Sequence, residues 1–165
     1  MNFKLFNNMP SNSAKVLQFM EVFDQSIGEN IFDGRALTLR LLSLRFQYIE
    51  ETMEELRRAV EEFIAWSIRS DADDIKDISI RVSFVEIVNA LATLLFVTYG
   101  FFLAFGVDAD AALDAVHESN MSKLDEYGRP IYREDGKVLK GPSYQPPNFE
   151  PILQGYIDTF DVTKV

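Results

Sequence analysis

The stretch from Phe84 to Val107, FVEIVNALATLLFVTYGFFLAFGV, constrains the fold more than any other part of the chain. The 18 residues from Ala90 to Val107 carry no charge, and most positions are apolar all round a helical wheel. A helix of that kind is buried on every side, in a core or in a membrane. One strip differs. Glu86, Asn89 and Thr93 fall on one face, at i, i+3 and i+7. A buried polar strip must be paired, or it must face a ligand. The length just admits a membrane span. The flanks argue against one, because no basic cluster borders the run, Asp108 and Asp110 follow at once, and glycines and threonines dilute it. The expected role is the central helix of a soluble bundle, with no membrane partner.

The chain has 165 residues, enough for one domain with a sizeable core. Its formal net charge is −10. That argues against nucleic-acid polymers and anionic membranes, since nothing neutralises phosphates in bulk. It leaves room for one nucleotide in a local basic pocket. There are no cysteines, so neither disulfides nor thiolate chemistry are expected. The lone His117 makes a histidine metal site or triad improbable and reads as structural or surface. No signal-peptide pattern opens the chain, so the expected location is cytoplasmic. No internal repeat is visible.

In chain order, residues 1–13 carry Pro10 and read as an extended lead-in. Val16, Phe19, Met20, Phe23 and Ile27 predict an amphipathic helix over Ala14–Ile27. Gly28–Asp33 breaks it, and Asp33 can cap the next helix. A long second helix is predicted over Arg35–Ile68, with two apolar stripes. One is Leu39, Leu42, Phe46, Ile49, Met53, Leu56, Val60 and Phe63. The other runs from Leu37, Leu41, Leu44 and Tyr48 through Glu51, Thr52 and Glu55 to Ala59 and Trp66. Glu50, Glu54, Arg58 and Glu61 lie on the remaining face and read as solvated i,i+4 pairs. Glu51 and Glu55 sit on a stripe that is apolar on either side, which leaves both a solvated and an inward-facing role open.

Ser70–Asp77 (SDADDIKD) reads as a solvated acidic loop without calcium-loop spacing. Ile78–Phe105 forms the third helix and Gly106 ends it. Asp108 is a plausible N-cap for a fourth helix over Ala109–Asn120. After Leu124 the chain turns rich in Gly, Pro and Tyr, with Lys123, Arg129, Arg133, Lys137 and Lys140. Turn signals at Tyr127–Pro130 and Glu134–Lys137 flank a short run and suggest a small hairpin or irregular arm. Pro142, Pro146, Pro147 and Pro151 force an extended path. The arm either packs on the bundle or a neighbouring subunit, or turns its cations to phosphates. Composition alone favours packing.

Several runs are specific: VTYGFFLAFGVDADAALDAVHESNMSKLDEYGRPIYREDGKVLKGPSYQPP as a whole, and within it His117–Lys123, Asp135–Lys137 and Lys140–Pro142. With four helices and a glutamate-bearing second helix, the chain resembles the all-α nucleoside-triphosphate pyrophosphohydrolase superfamily. It is most similar to the MazG-like, phosphoribosyl-ATP-pyrophosphohydrolase-like branch common in bacteria and their phages. The resemblance covers roughly residues 14–153. It implies one all-α MazG-like domain over 1–165, a four- to five-helix bundle at 14–122 and a C-terminal arm at 123–165. It also implies a dimer or tetramer, and magnesium ions held by helix carboxylates while a triphosphate is split between its α and β phosphates.

The family pattern is E-E-x-x-E on the second helix and E-x-x-D on the third. By letters, Glu50, Glu51 and Glu54 fit. By the surrounding Leu44–Arg45, Tyr48–Ile49 and Leu56, the motif falls on Glu51, Thr52 and Glu55, and only this register faces inward. On the third helix the acids fall on Ala90 and Thr93, or on Asn89 and Thr93. Under either form both carboxylates are absent, and Glu86 is the one acid left on that face.

The expected function is therefore nucleotide binding with lost or weakened hydrolysis. A phage-type relative of that kind could act as a sponge for a nucleotide immune signal. Asn120, Lys123, Arg133, Lys137 and Lys140 would meet phosphates, and Tyr127, Tyr132 or Tyr144 could stack on a base. Tyr48, Thr52, Asn89 and Thr93 would line the remnant site. Glu51, Glu55 and Glu86, with Glu50 and Glu54, are the candidates for residual metal binding or catalysis. No cofactor is fixed by the sequence, and magnesium is expected if hydrolysis persists. The rivals are an active magnesium-dependent pyrophosphohydrolase and a purely structural or protein-binding bundle.

Overall fold

A computed structural model describes residues 11–33, 36–69 and 78–160. It contains five helices: α1 (Asn12–Val22), α2 (Ala36–Arg69), α3 (Ile78–Ala104), α4 (Ala109–Met121) and α5 (Glu150–Phe160). A short 3-10 turn covers Ile31–Asp33. Among the described residues there is no strand, so the fold is all-α. The expected cap at Asp33 meets a gap: α2 opens at Ala36, and residues 34 and 35 lie outside the described residues. So do the lead-in over 1–10 and the acidic connector over 70–77.

The chain divides into two compact units, with the break between Phe105 and Gly106. The sequence reading takes 1–165 as one domain, with a bundle over 14–122 and an arm over 123–165. The helix α4 belongs with the arm because the two are tied together. Ser119 Oγ donates to the Gln145 carbonyl at 2.8 Å, and the Gln145 amide donates to Ser122 Oγ at 2.9 Å.

In the first unit, Ser11 caps α1 by accepting from the Ala14 amide at 3.4 Å, and Val16, Leu17 and Met20 are buried. The helix stops five residues before Ile27. Asp24 adopts a left-handed φ of 49°, its amide turns to the Glu21 carbonyl, and the Gln25 amide bonds the Met20 carbonyl at 2.8 Å. A left-handed residue just past the end satisfies the last carbonyls and closes the helix. The same cap fixes where Gln25 lies.

The helices α2 and α3 pack along one seam. Thr38, Arg45, Thr52 and Ala59 are buried on α2, each seven residues from the last. Ser83, Ala90 and Ala104 are buried on α3, at seven and fourteen residues. A seven-residue recurrence keeps one seam facing a partner helix. Phe63 meets Phe84, and Arg45 lies against Gly100, so the helices run antiparallel. The small residues let the backbones approach; a Cβ on Gly100 would lie 3.3 Å from Arg45 Nη1.

Among the described residues of the first unit, α3 is covered along that seam and by α1. Phe84, Val85, Val88 and Leu91 are exposed, and Leu95 is 60% exposed. The all-round apolar surface is thus not buried on every side, because one antiparallel neighbour and α1 cover only part of a cylinder. By length and composition alone, Arg81–Ala104 is apolar enough to cross a membrane. A single helix that passes this test is weak ground for a span.

In the second unit, Asp108 caps α4 as expected, accepting from the Asp110 and Ala111 amides at 2.9 and 3.0 Å. The segment from Ser122 to Phe149 is irregular, apart from a single antiparallel bridge between Tyr132 and Val138. A turn at Arg133–Gly136, with Gly136 at φ +84°, joins the bridged residues. Pro151 does not prolong an extended path. It sits in the first turn of α5, where a missing amide costs nothing. The Asn148 side chain accepts from the Glu150 amide at 3.1 Å, and Ile152, Tyr156 and Phe160 recur every four residues. The arm therefore ends in a helix.

Candidate functional site

The antiparallel pairing of α2 with α3 opens a groove of about 340 Å³. Glu55, Arg58 and Glu62 line it from α2, and Glu86 and Asn89 from α3. The small side chains of Ala59 and Ala90 leave the space between them. Glu55, Glu86 and Asn89 thus share one place. Arg58 and Glu62 join them, although the wheel puts Arg58 on the solvated face and gives Glu62 no role. The i, i+4, i+7 spacing of Glu55, Ala59 and Glu62 could have shown this.

The other members of the set lie elsewhere. Thr52 is 4% exposed and its hydroxyl donates to the Tyr48 carbonyl at 2.8 Å, so its oxygen turns back into its own helix. Glu51 is exposed and accepts from Gln47 Nε2 at 2.8 Å. Thr93 is half-buried and does not line the groove. Glu50 is exposed. Glu54, another of the metal candidates, is paired within its own helix. Arg57 binds it through Nε at 2.9 Å and Nη2 at 2.6 Å, which holds its carboxyl below the usual range. Arg57 also reaches Glu61 and is held more basic by both partners. Among the described residues, no three His, Asp or Glu side chains converge as a metal ion requires.

A second cluster lies within the second unit, where α4 meets the arm. Lys123 Nζ donates to Asn120 Oδ1 at 2.6 Å. Lys140 Nζ sits 4.1 Å from the centre of the Tyr144 ring. Ser119 and Lys140 beside the Tyr144 phenol, with the charges of Lys140 and Lys123, hold it below its ordinary pKa. The Gly141 amide donates to the Lys123 carbonyl at 3.0 Å, and a Cβ on Gly141 would collide with the Leu124 carbonyl oxygen. Only glycine lets the arm approach here, which is why Lys140 comes beside Lys123.

The remaining arm residues stand apart from this corner. Tyr127 is exposed, with Arg129 stacked 4.8 Å from its ring centre, and Tyr132 is exposed within the bridge. Lys137 is exposed and gives its amide to Asp135 Oδ1 at 3.1 Å. Arg133 is paired with Asp135. Its Nε lies 2.9 Å from Asp135 Oδ1 and a second guanidinium nitrogen also pairs with that carboxylate, which raises the arginine and lowers the aspartate.

The sequence model of the family described as phosphoribosyl-ATP pyrophosphohydrolase matches residues 16–120, well over half of the chain. The chain belongs to the phosphoribosyl-ATP pyrophosphohydrolase family. The match spans α2 and α3 whole, with the groove between them, nearly all of α4 and α1 from Val16 onward. A comparison with curated proteins finds no match. Among solved structures, a candidate NTP pyrophosphohydrolase from Exiguobacterium sp. 255-15 is similar at 21% identity and a TM-score of 0.44. That similarity covers 94% of this chain and 99% of the other.

Magnesium is the cofactor that the family resemblance implies, and the residues of this family member do not fit it. Two of the expected acids are the neutral Asn89 and Thr93, a third is the inward-bonded Thr52, and Glu55, Glu62 and Glu86 share their groove with the cation Arg58 without converging as a metal cluster. A divalent ion beside a polyphosphate needs several hard, charged oxygens.

Proposed function

We propose that this member of the family is a nucleotide-binding protein in which hydrolysis is lost or weakened. The observation that carries the proposal is the corner at Lys123, Lys140 and Tyr144. In a chain of net charge −10 it gathers two cations and a phenol at one place. Ammonium groups and a hydroxyl donate to phosphate oxygens, and Asn120 positions Lys123 for the same task. The loss of acids at Asn89 and Thr93 supports the second half of the proposal. It removes the charge that would hold a metal, and it also removes repulsion of an anionic ligand. Asn89 with Glu55 and Glu86 then serves as a polar groove and not as a catalytic centre.

A chain that captures a nucleotide and returns it intact suits a sponge for a nucleotide signal, the role of a phage-type protein in a host cytoplasm. The apolar face of α3 supports a homo-oligomer, because Val85, Val88, Leu91 and Leu95 form a surface that a second copy could cover.

Calorimetric titration of the protein with a nucleoside triphosphate tests the proposal, run first in a chelator and then with magnesium. Binding of similar strength in both is expected, weakened at least several-fold in Lys140→Ala and in Lys123→Ala. Binding confined to the magnesium arm, accompanied by pyrophosphate release, would instead establish the working pyrophosphohydrolase that family membership alone favours. No heat in either arm would leave the structural bundle.

A further inference from the structure

A buried cation without a carboxylate lies in the first unit. Arg45, on the α2 seam, is 5% exposed. Its Nη2 donates to Gln25 Oε1 at 3.1 Å, its Nε has no acceptor, and among the described residues no acid pairs with it. Burial lowers its pKa, while attraction from Tyr48 works the other way. A buried charge whose one partner is a neutral amide is costly to keep, and an anion would offset that cost.

Arg45 also lines a cavity of about 270 Å³ with Gln25, Tyr48, Phe19 and Phe96. Every lining residue belongs to the first unit. The walls are mostly apolar, and Phe19 and Phe96 meet edge-on at 5.1 Å. Gly100 keeps the space open beside the cation, since a Cβ there would lie 3.3 Å from Arg45 Nη1. The volume is at the small end for ligand sites and limits an occupant to one ring or a short branched chain. Charge narrows the choice further. A phosphate monoester brings close to two negative charges and three acceptor oxygens, more than one cation among apolar walls can satisfy. A carboxylate brings one charge, its two oxygens match the guanidinium fork, and the rest of the molecule can be apolar.

We propose that the cavity at Arg45 is a binding site for a small organic monocarboxylate, with the carboxylate on the guanidinium and the apolar body against Phe19 and Phe96. The inference concerns the first unit alone and does not rest on the nucleotide-binding proposal above. Gln25 is what keeps the cation available. The left-handed cap at Asp24 fixes its place, and a neutral amide in that place leaves the charge of Arg45 unmatched.

The test titrates phenylacetate, benzoate and isovalerate into the intact protein, each beside its neutral amide, by calorimetry and by thermal shift. At least one acid is expected to bind about tenfold tighter than its amide, the difference between a charge-assisted and a neutral hydrogen bond. Gln25→Glu supplies a carboxylate from within the chain. It should keep or raise the melting temperature of the free protein and abolish the preference for the acid. Arg45→Met removes the charge and should abolish that preference too. Binding of no acid by the native protein would overturn the proposal, as would equal binding of acid and amide or a preference that persists in Gln25→Glu. A preference lost in Lys140→Ala would overturn it as well, by assigning the acid to the second unit.

Discussion

Tyr144 is the side chain whose environment most directly reports the anion corner. Its phenol is held below the ordinary tyrosine pKa by the neighbouring Ser119 and Lys140 and by the lysine charges. A neutral phenol donates to phosphate, whereas a phenolate repels it. Phosphate affinity should therefore fall as pH rises through the Tyr144 titration, beginning below the pH at which free tyrosine ionises. Tyr144→Phe should bind more weakly at neutral pH and lose that alkaline step, as followed by titration with inorganic phosphate. A step of equal size in Tyr144→Phe would assign it to the lysines. The lysines and tyrosines of the arm were legible in the sequence as a set. Which of them converge was not. That depends on Gly141 passing the Leu124 carbonyl, and on Arg133 finding Asp135 two residues away. Arg45 was missed because a single arginine between apolar neighbours reads as solvated. The signal was present in its seven-residue spacing from Thr38 and Thr52, which puts it on the seam.

At the scale of elements, composition identified α3, and the Asp108 cap placed the start of α4 correctly. The end of α1 was not legible, because a left-handed aspartate carries no mark in the letters as a glycine would. The start of α5 was misread because proline breaks a helix in its interior but opens one at its first turn. The uncovered face of α3 is the largest unspent feature of the fold. Burying a side chain such as Leu91 or Leu95 contributes roughly 1.5–3 kcal/mol, so a few of them suffice to hold two copies together. Leu95→Glu should shift the protein to a smaller species in light scattering, with the helical content of the monomer largely kept. An unchanged mass would show that this face is not the interface.

For the whole molecule, the family fold and the chemistry point in different directions. Residues 16–120 match a family of pyrophosphohydrolases, while the helix positions that should carry acids hold Thr52, Asn89 and Thr93. In the proposed reading the two lysines of the arm hold an anion, and the groove acids Glu55, Glu62 and Glu86, shared with Arg58, activate no water against it. The most direct test is a mass balance. The protein and magnesium are incubated with a panel of nucleoside triphosphates and signalling nucleotides, and the solution is chromatographed before and after heat denaturation. One ligand should disappear from the free pool and return unchanged on denaturation. Monophosphate and pyrophosphate in its place would contradict the central claim, and would mean that Glu55 and Glu86 are enough to hold a catalytic metal.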